Sequence, residues 1–285
     1  MAGLNMIFTK LLQDRPDTDE MPHSAAVPRF ACLGGATVVE AQKSDHNPII
    51  YTSALGYTFC TFNILMQCVH GNNGFDRVET LEQYQGRLLE AIIPIMQELV
   101  QQHKVDIFLL QEVPSPGVGN AFYNKLRQVL PIHTIDENSK FTEIQYRFPD
   151  PQNKVETISM SGGVFTIYPT VMTVQDVTND VFSQISVANQ RRFQAFQFTY
   201  GFMRSFHVGN FHGNFKDQVG MESDITRLLE QGYLVGGDFN LRRDPGFGVP
   251  EAAAPTEPGM FPQQTYDAIY DGIKQGLLAR FLKCF

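Results

Sequence analysis

Five short clusters of acid, amide and imidazole side chains stand out in this chain. Residues 233–240 read Tyr-Leu-Val-Gly-Gly-Asp-Phe-Asn. An apolar run closed by a glycine pair predicts a buried strand ending in a tight turn. Side chains alternate across a strand, so Asp238 and Asn240 are expected to face one way while Phe239 packs behind them. A carboxylate there can hold a hard cation or a proton. A carboxamide can donate to a phosphate and accept from its attacking water. A plain turn rich in Gly, Asp and Asn is the competing reading. Asn210 and His212 repeat the i, i+2 spacing at the end of another strand. Glu112 follows Gln111 at the end of an apolar run, where a carboxylate is costly without a partner. Asn63 closes a further strand. Asp45 and His46 set a carboxylate and an imidazole on opposite sides of the backbone, and Pro48 holds Asn47 extended. An imidazole titrates near neutral pH and can act as a base. Arg191 and Arg192 precede a strand, where they could reach a phosphate or stand solvated.

The elements that must position these groups are many short strands with a few amphipathic helices. Strands are expected over 4–9, 36–41, 49–52, 57–65, 105–110, 163–168, 171–177, 192–200, 203–211 and 233–238. The pair 163–168 and 171–177 reads as a hairpin around Pro169, and the pair 192–200 and 203–211 as one turning at Gly201. Helical periodicity runs over 79–103, with Pro94 expected to kink or divide it. Further helices are expected over 121–130, 217–231 and 265–282. Residues 14–28, 114–119 and 244–262 read as loops, and 140–155 are poorly patterned. No repeat or low-complexity tract marks a boundary, so 1–285 is read as a single domain. Such a mixture favours two packed sheets with helices outside.

Together the clusters resemble the motif set of the endonuclease/exonuclease/phosphatase superfamily, the deoxyribonuclease I-like fold. The matching pieces are Asn63, Gln111-Glu112, Asn210-x-His212, Gly237-Asp238-Phe239-Asn240 and Ser44-Asp45-His46-x-Pro48. The order departs from the family, where the Ser-Asp-His segment closes the chain. Moving residues 1–54 to the C-terminus restores the usual order, so the chain resembles a circular permutant, with Leu55-Gly56 joining the usual last and first strands. Surface termini that lie close together tolerate such a rearrangement. The resemblance implies an α+β fold, a four-layer α/β/β/α sandwich of two mixed sheets flanked by helices.

It also implies a phosphoric ester hydrolase dependent on Mg²⁺ or Mn²⁺. Glu112 would bind the metal with Asn63 and Asp45. Asp238 and Asn240 would orient the attacking water or stabilise the leaving group. His46 would serve as base or phosphate donor, and His212 with Asn210 would donate to the phosphate from the other side. Relatives often carry an aspartate that orients the catalytic histidine; here the matching place holds Asn5. Asp45 or Asp267 could compensate, or activity could be reduced. The Asn-x-His form argues against the abasic-site endonuclease branch. It leaves deoxyribonuclease-like, deadenylase-like, sphingomyelinase-like and inositol-phosphatase-like chemistry open, with single-stranded nucleic acid or a phospholipid or inositol head group as substrate. The alternative is a catalytically weak or inactive member retained as a binding module.

Composition sets the outer limits. The chain has 285 residues, a formal net charge of −8 and 43% hydrophobic residues. That balance gives ample core and disfavours a broad basic surface for duplex DNA. Cys32, Cys60, Cys68 and Cys284 form no CxxC pair and read as reduced, structural residues. No signal peptide and no apolar run of about 18 residues is seen, so the expectation is a soluble, cytoplasmic protein without a membrane span.

Overall fold

The computed structural model describes residues 37–38, 46–53, 55–64, 79–135, 144–149, 157–200, 204–214, 216–241 and 265–271. In chain order the first strands are β1 Thr37–Val38, β2 Ile49–Thr52, β3 Thr58–Asn63, β4 Ile107–Pro114, β5 His133–Thr134, β6 Ile144–Pro149 and β7 Thr157–Pro169. They make one sheet in the order β1-β2-β3-β4-β7-β5, with β6 also on β7. The second sheet has the order β12-β11-β10-β9-β8. Its strands are β8 Thr173–Asp176, β9 Phe193–Tyr200, β10 Arg204–His212, β11 Tyr233–Leu241 and β12 Thr265–Asp271. Both sheets are mixed: β3 runs parallel to β4 and β10 parallel to β11, among antiparallel neighbours.

Strand alternation sorts the apolar side chains into three cores. Cys60, Phe62, Phe108, Leu110, Phe165 and Ile167 meet the helical residues Tyr84, Leu88, Met96, Leu99, Phe122 and Leu126. Phe59, Ile107, Leu109, Phe198, Phe206, Val208 and Leu234 meet between the sheets. Phe193, Phe211, Val235 and Phe239 pack on Met221, Ile225 and Leu228 of the helix Gln218–Glu230. Helix, sheet, sheet and helix are thus the four layers expected. Burial pushes the Cys60 thiol well above its usual value, and that cysteine is free. Cys32, Cys68 and Cys284 lie outside the described residues. No described helix is long and apolar enough to cross a membrane.

Several elements differ from expectation for physical reasons. The segment 265–271 is strand, not helix. It lies antiparallel on β11 and sends Ile269 into the core between the sheets, and that tertiary pairing outweighs local helical preference. The remainder of that expected helix, 272–282, lies outside the described residues, as do 4–9, 14–28 and 244–262. The segments 163–168 and 171–177 do not form a hairpin. β7 pairs with β4 and β8 with β9, so the turn after Pro169 carries the chain between sheets. A helix occupies Pro116–Val129 and absorbs part of the expected loop, because Pro116 presets the first helical turn. The poorly patterned stretch holds β6. The long helix is divided as expected, by a wide π segment Leu88–Ile92 next to Pro94. Proline has no N–H to give the regular ladder, and the Ile93 N–H instead reaches the Leu88 carbonyl five residues back.

His133 carries a pH dependence. Its imidazole is buried against Phe108. Burial lowers its pKa, with Asp106 and the Val105 backbone opposing more weakly. The unfolded chain therefore takes up this proton at higher pH than the folded one. The stabilisation is complete above the ordinary histidine value of about 6.5 and is lost as pH falls below it. His207 is lowered by burial as well and acts in the same direction. Urea midpoints should fall between pH 7.5 and pH 5.5, and His133→Phe should flatten that slope.

Candidate active site

The layer between the sheets is apolar along most of its length and turns polar at one end. β3 and β4 run parallel with Asn63 opposite Gln111, and β10 and β11 run parallel with His212 opposite Asp238. The C-terminal ends of both pairs meet there. Thr61, Asn63, Gln111, Thr166, Gln194, Asn210, His212 and Asp238 are all buried.

Asn63 stands at the centre. Its Nδ2 donates to Glu112 Oε1 at 3.2 Å and to Asp238 Oδ2 at 3.0 Å. His212 Nε2 lies 3.5 Å from the same Glu112 oxygen and 3.7 Å from the same Asp238 oxygen. One amide thus bridges two carboxylates that come from different sheets, with the His212 ring beside both. Glu112 has φ of +56°, in the left-handed region that glycine favours, at a break in the β4–β7 register between Leu110 and Val113. The bulge turns the carboxylate out of the sheet's alternation. Beneath it the Tyr84 phenol is raised well above its usual value by burial. Arg87 opposes that shift, and the charges of Glu112 and Glu79 add to it.

β10 and β11 approach closely enough that a Cβ on Gly237 would run into the Phe211 carbonyl. This is the physical reason for glycine before Asp238. The Gly213 N–H donates to the Asp238 carbonyl at 2.6 Å and extends the parallel pair by one rung. Phe239 packs behind, as expected. Asn240 departs from simple alternation, because its φ of +52° turns the chain at a shift in the β11–β12 register. Its backbone N–H donates to Asp238 Oδ1 at 3.0 Å and its Nδ2 donates to the Gly213 carbonyl at 3.2 Å. Asn240 therefore fixes Asp238 and the strand after His212.

No protein-family model and no curated protein sequence matches the chain. Solved structures do. An endonuclease/exonuclease/phosphatase from Bacteroides vulgatus is 17% identical with a TM-score of 0.34, covering 64% of this chain and 65% of that one. An endonuclease/exonuclease/phosphatase family protein from Leptotrichia buccalis is 11% identical with a TM-score of 0.38, covering 63% and 80%. ANGEL2, a 2′,3′-cyclic phosphatase in complex with adenosine-2′,3′-vanadate, is 12% identical with a TM-score of 0.34, covering 65% and 53%. The chain thus spans less than two thirds of the first of these. Likeness at this level leaves the fold to rest on its own sheets and the chemistry on its own side chains.

The other expected residues fall as follows. His46 is buried just ahead of β2. β2 runs antiparallel to β3 with Ile49 opposite Thr61, so the chain enters β2 from the end where Asn63 lies. Asp45, Ser44 and Asn5 lie outside the described residues. Asp267 lies across from Asp238 in the β11–β12 register. Arg192 Nη1 lies 3.5 Å from the Gly213 carbonyl, at the edge of the site, whereas Arg191 is exposed beside it. Asn210 sits deeper than His212, with both ends of its carboxamide engaged inside the sandwich.

Sequence reading missed the support around these groups. Asn189 is buried, donates to Ser186 Oγ at 2.9 Å and Asp224 Oδ2 at 3.0 Å, and accepts from the Asn214 N–H at 3.1 Å. It ties the chain just past His212 to the helix Gln218–Glu230. Glu79 and Arg87 form a buried pair whose guanidinium also reaches the Ile64 carbonyl, next to Asn63. The available signal was polar residues at inward positions of otherwise apolar strands, as at Thr61, Thr166 and Gln194.

Proposed function

We propose that this chain is a metal-dependent phosphoesterase, hydrolysing a phosphodiester or phosphomonoester with Mg²⁺ or Mn²⁺. The observation that carries the reading is the meeting of Glu112 from one sheet with Asp238 and His212 from the other, around Asn63. Among the described residues no group of three or more His, Cys, Asp or Glu side chains is arranged to hold a metal ion by itself. The donors present still fit a hard cation, because Mg²⁺ uses one or two carboxylates and keeps waters and substrate oxygens for the rest of its shell. Glu112 and Asp238 are such carboxylates, and Asp45 is the further candidate. A bound ion would polarise a phosphoryl oxygen and offset the negative charge that develops there.

The chain's own groups divide the remaining work. Asp238, fixed by Asn63 and by the Asn240 N–H, accepts a proton-bearing contact from the attacking water. His212 presents an N–H to the phosphate, and Arg192 adds a cation at the rim. His46 is the second imidazole of this reading, acting as base or phosphate donor. The tight turn between β2 and β3, with Gly56 at φ +84°, joins the segment that carries His46 to the strand that carries Asn63. It supports reading 1–54 as the family's usual closing segment moved to the front.

The test is turnover by the purified protein over a panel of esters, with Mg²⁺ or Mn²⁺. The panel holds single- and double-stranded DNA, polyadenylate RNA, sphingomyelin, inositol phosphates and a simple aryl phosphodiester. Metal-dependent turnover of one class, lost in His46→Ala, is expected and names the substrate. A folded protein inactive on every ester would favour the binding module instead.

A further inference from the structure

The groups that face phosphate in this reading are divided between two sheets, so their spacing depends on what holds the sheets together at that end. Glu112 and Asn63 belong to the first sheet, His212 and Asp238 to the second. Just below them lies Asn210, fully buried on β10. Its Oδ1 accepts from Gln111 Nε2 at 2.8 Å. Its Nδ2 donates to the carbonyls of Leu110 at 3.2 Å and Phe165 at 3.1 Å, with Thr166 Oγ1 at 3.3 Å. Leu110 and Phe165 face each other in the β4–β7 ladder and are its last regular pair before the bulge. Glu112 sits inside that bulge. A bulge disturbs ladder pairing, and buried carbonyls require a donor. A single carboxamide from the opposite sheet supplies one to both members of the pair.

We infer that Asn210 is a positioning residue that clamps the Glu112 bulge from the second sheet and so sets the Glu112 carboxylate against His212, without touching phosphate. The inference rests on the phosphoesterase reading and deepens it. A clamp of this kind governs how well the cation site is formed and leaves the grip on substrate unchanged. Asn210→Asp tests it, because it keeps the shape and the acceptor but replaces the donating amide with an oxygen facing two carbonyls.

Calorimetry with Mn²⁺ alone should show affinity falling by about 10-fold or more, the usual size for loss of a group that orients a metal ligand. With bis(4-nitrophenyl) phosphate the half-activating Mn²⁺ concentration should rise in parallel, while KM at saturating Mn²⁺ stays constant. Gln111→Leu removes the donor that holds Asn210 Oδ1 but leaves the two carbonyl contacts. It should weaken Mn²⁺ by about 3-fold, the scale of one neutral hydrogen bond, and it carries the test if Asn210→Asp fails to fold. A raised KM with unchanged Mn²⁺ affinity would make Asn210 a phosphate contact and overturn the inference while sparing the phosphoesterase reading. A wild-type chain that neither binds Mn²⁺ nor turns over any ester would overturn both.

Discussion

If the chain is the proposed phosphoesterase, replacing Glu112 by glutamine should lower phosphate-ester hydrolysis by about a thousandfold or more, equivalent to ~4 kcal/mol of transition-state stabilisation. Glutamine keeps the length and hydrogen-bonding capacity of the side chain and removes only its charge, so the loss isolates the cation-holding role. The backbone makes the prediction sharper. Glu112 has φ of +56°, a conformation that costs a non-glycine residue stability. Glu112→Gly relieves that cost and should raise stability by about 0.5–1 kcal/mol while also eliminating turnover. Activity and stability then move in opposite directions at one position, as expected where strain is kept for function. The measurements are initial rates at saturating Mn²⁺ and urea midpoints for wild type, Glu112→Gln and Glu112→Gly. A Glu112→Gln protein with the wild-type rate would remove the mechanism. A Glu112→Gly protein less stable than wild type would show that the carboxylate's contacts with Asn63 and His212 outweigh the strain.

How far the sequence revealed this site depends on the type of signal. Asp238 was legible because an apolar strand, two glycines and an acid form a local pattern whose reason, the close approach of Phe211, is equally local. Asn63, Glu112 and His212 were legible as strand-end polar groups, and the parallel pairings β3–β4 and β10–β11 bring those ends together. The strand 265–271 was not legible, because it exists through pairing with β11 and local composition does not encode a partner. The assignment of 163–177 to one hairpin failed for the same reason, since spacing does not say which sheet a strand joins. Asn210 shows the limit most clearly. Its i, i+2 relation to His212 was visible, but its depth and its reach to Leu110 and Phe165 depend on a sheet more than forty positions away in sequence.

The buried pair behind Asn63 should show the largest stability effect. Arg87 Nε and Nη2 donate to the two Glu79 carboxylate oxygens at 2.8 and 3.0 Å, and Nη1 donates to the Ile64 carbonyl at 3.0 Å. Both side chains are buried, and the guanidinium lies 5.5 Å from the Tyr84 ring centre. Arg87→Leu strands the Glu79 carboxylate and the Ile64 carbonyl in a buried site, which should cost about 3–5 kcal/mol. The double variant Glu79→Leu/Arg87→Leu removes both charges and should recover a large part of that loss, because replacing a buried pair with apolar side chains is often close to neutral. Arg87→Lys keeps the charge without the fork and should fall between the two. Urea midpoints for the set give the coupling between the partners. Catalysis separates the pair's roles further. The Ile64 N–H donates to the Gln111 carbonyl at 3.1 Å, so the peptides on either side of Ile64 are fixed, one by β4 and the other by Arg87. If Arg87 positions Asn63 as well as stabilising the fold, the double variant will be stable yet slow, with its rate loss concentrated in kcat. A double variant that is both stable and fully active would confine Arg87 to stability.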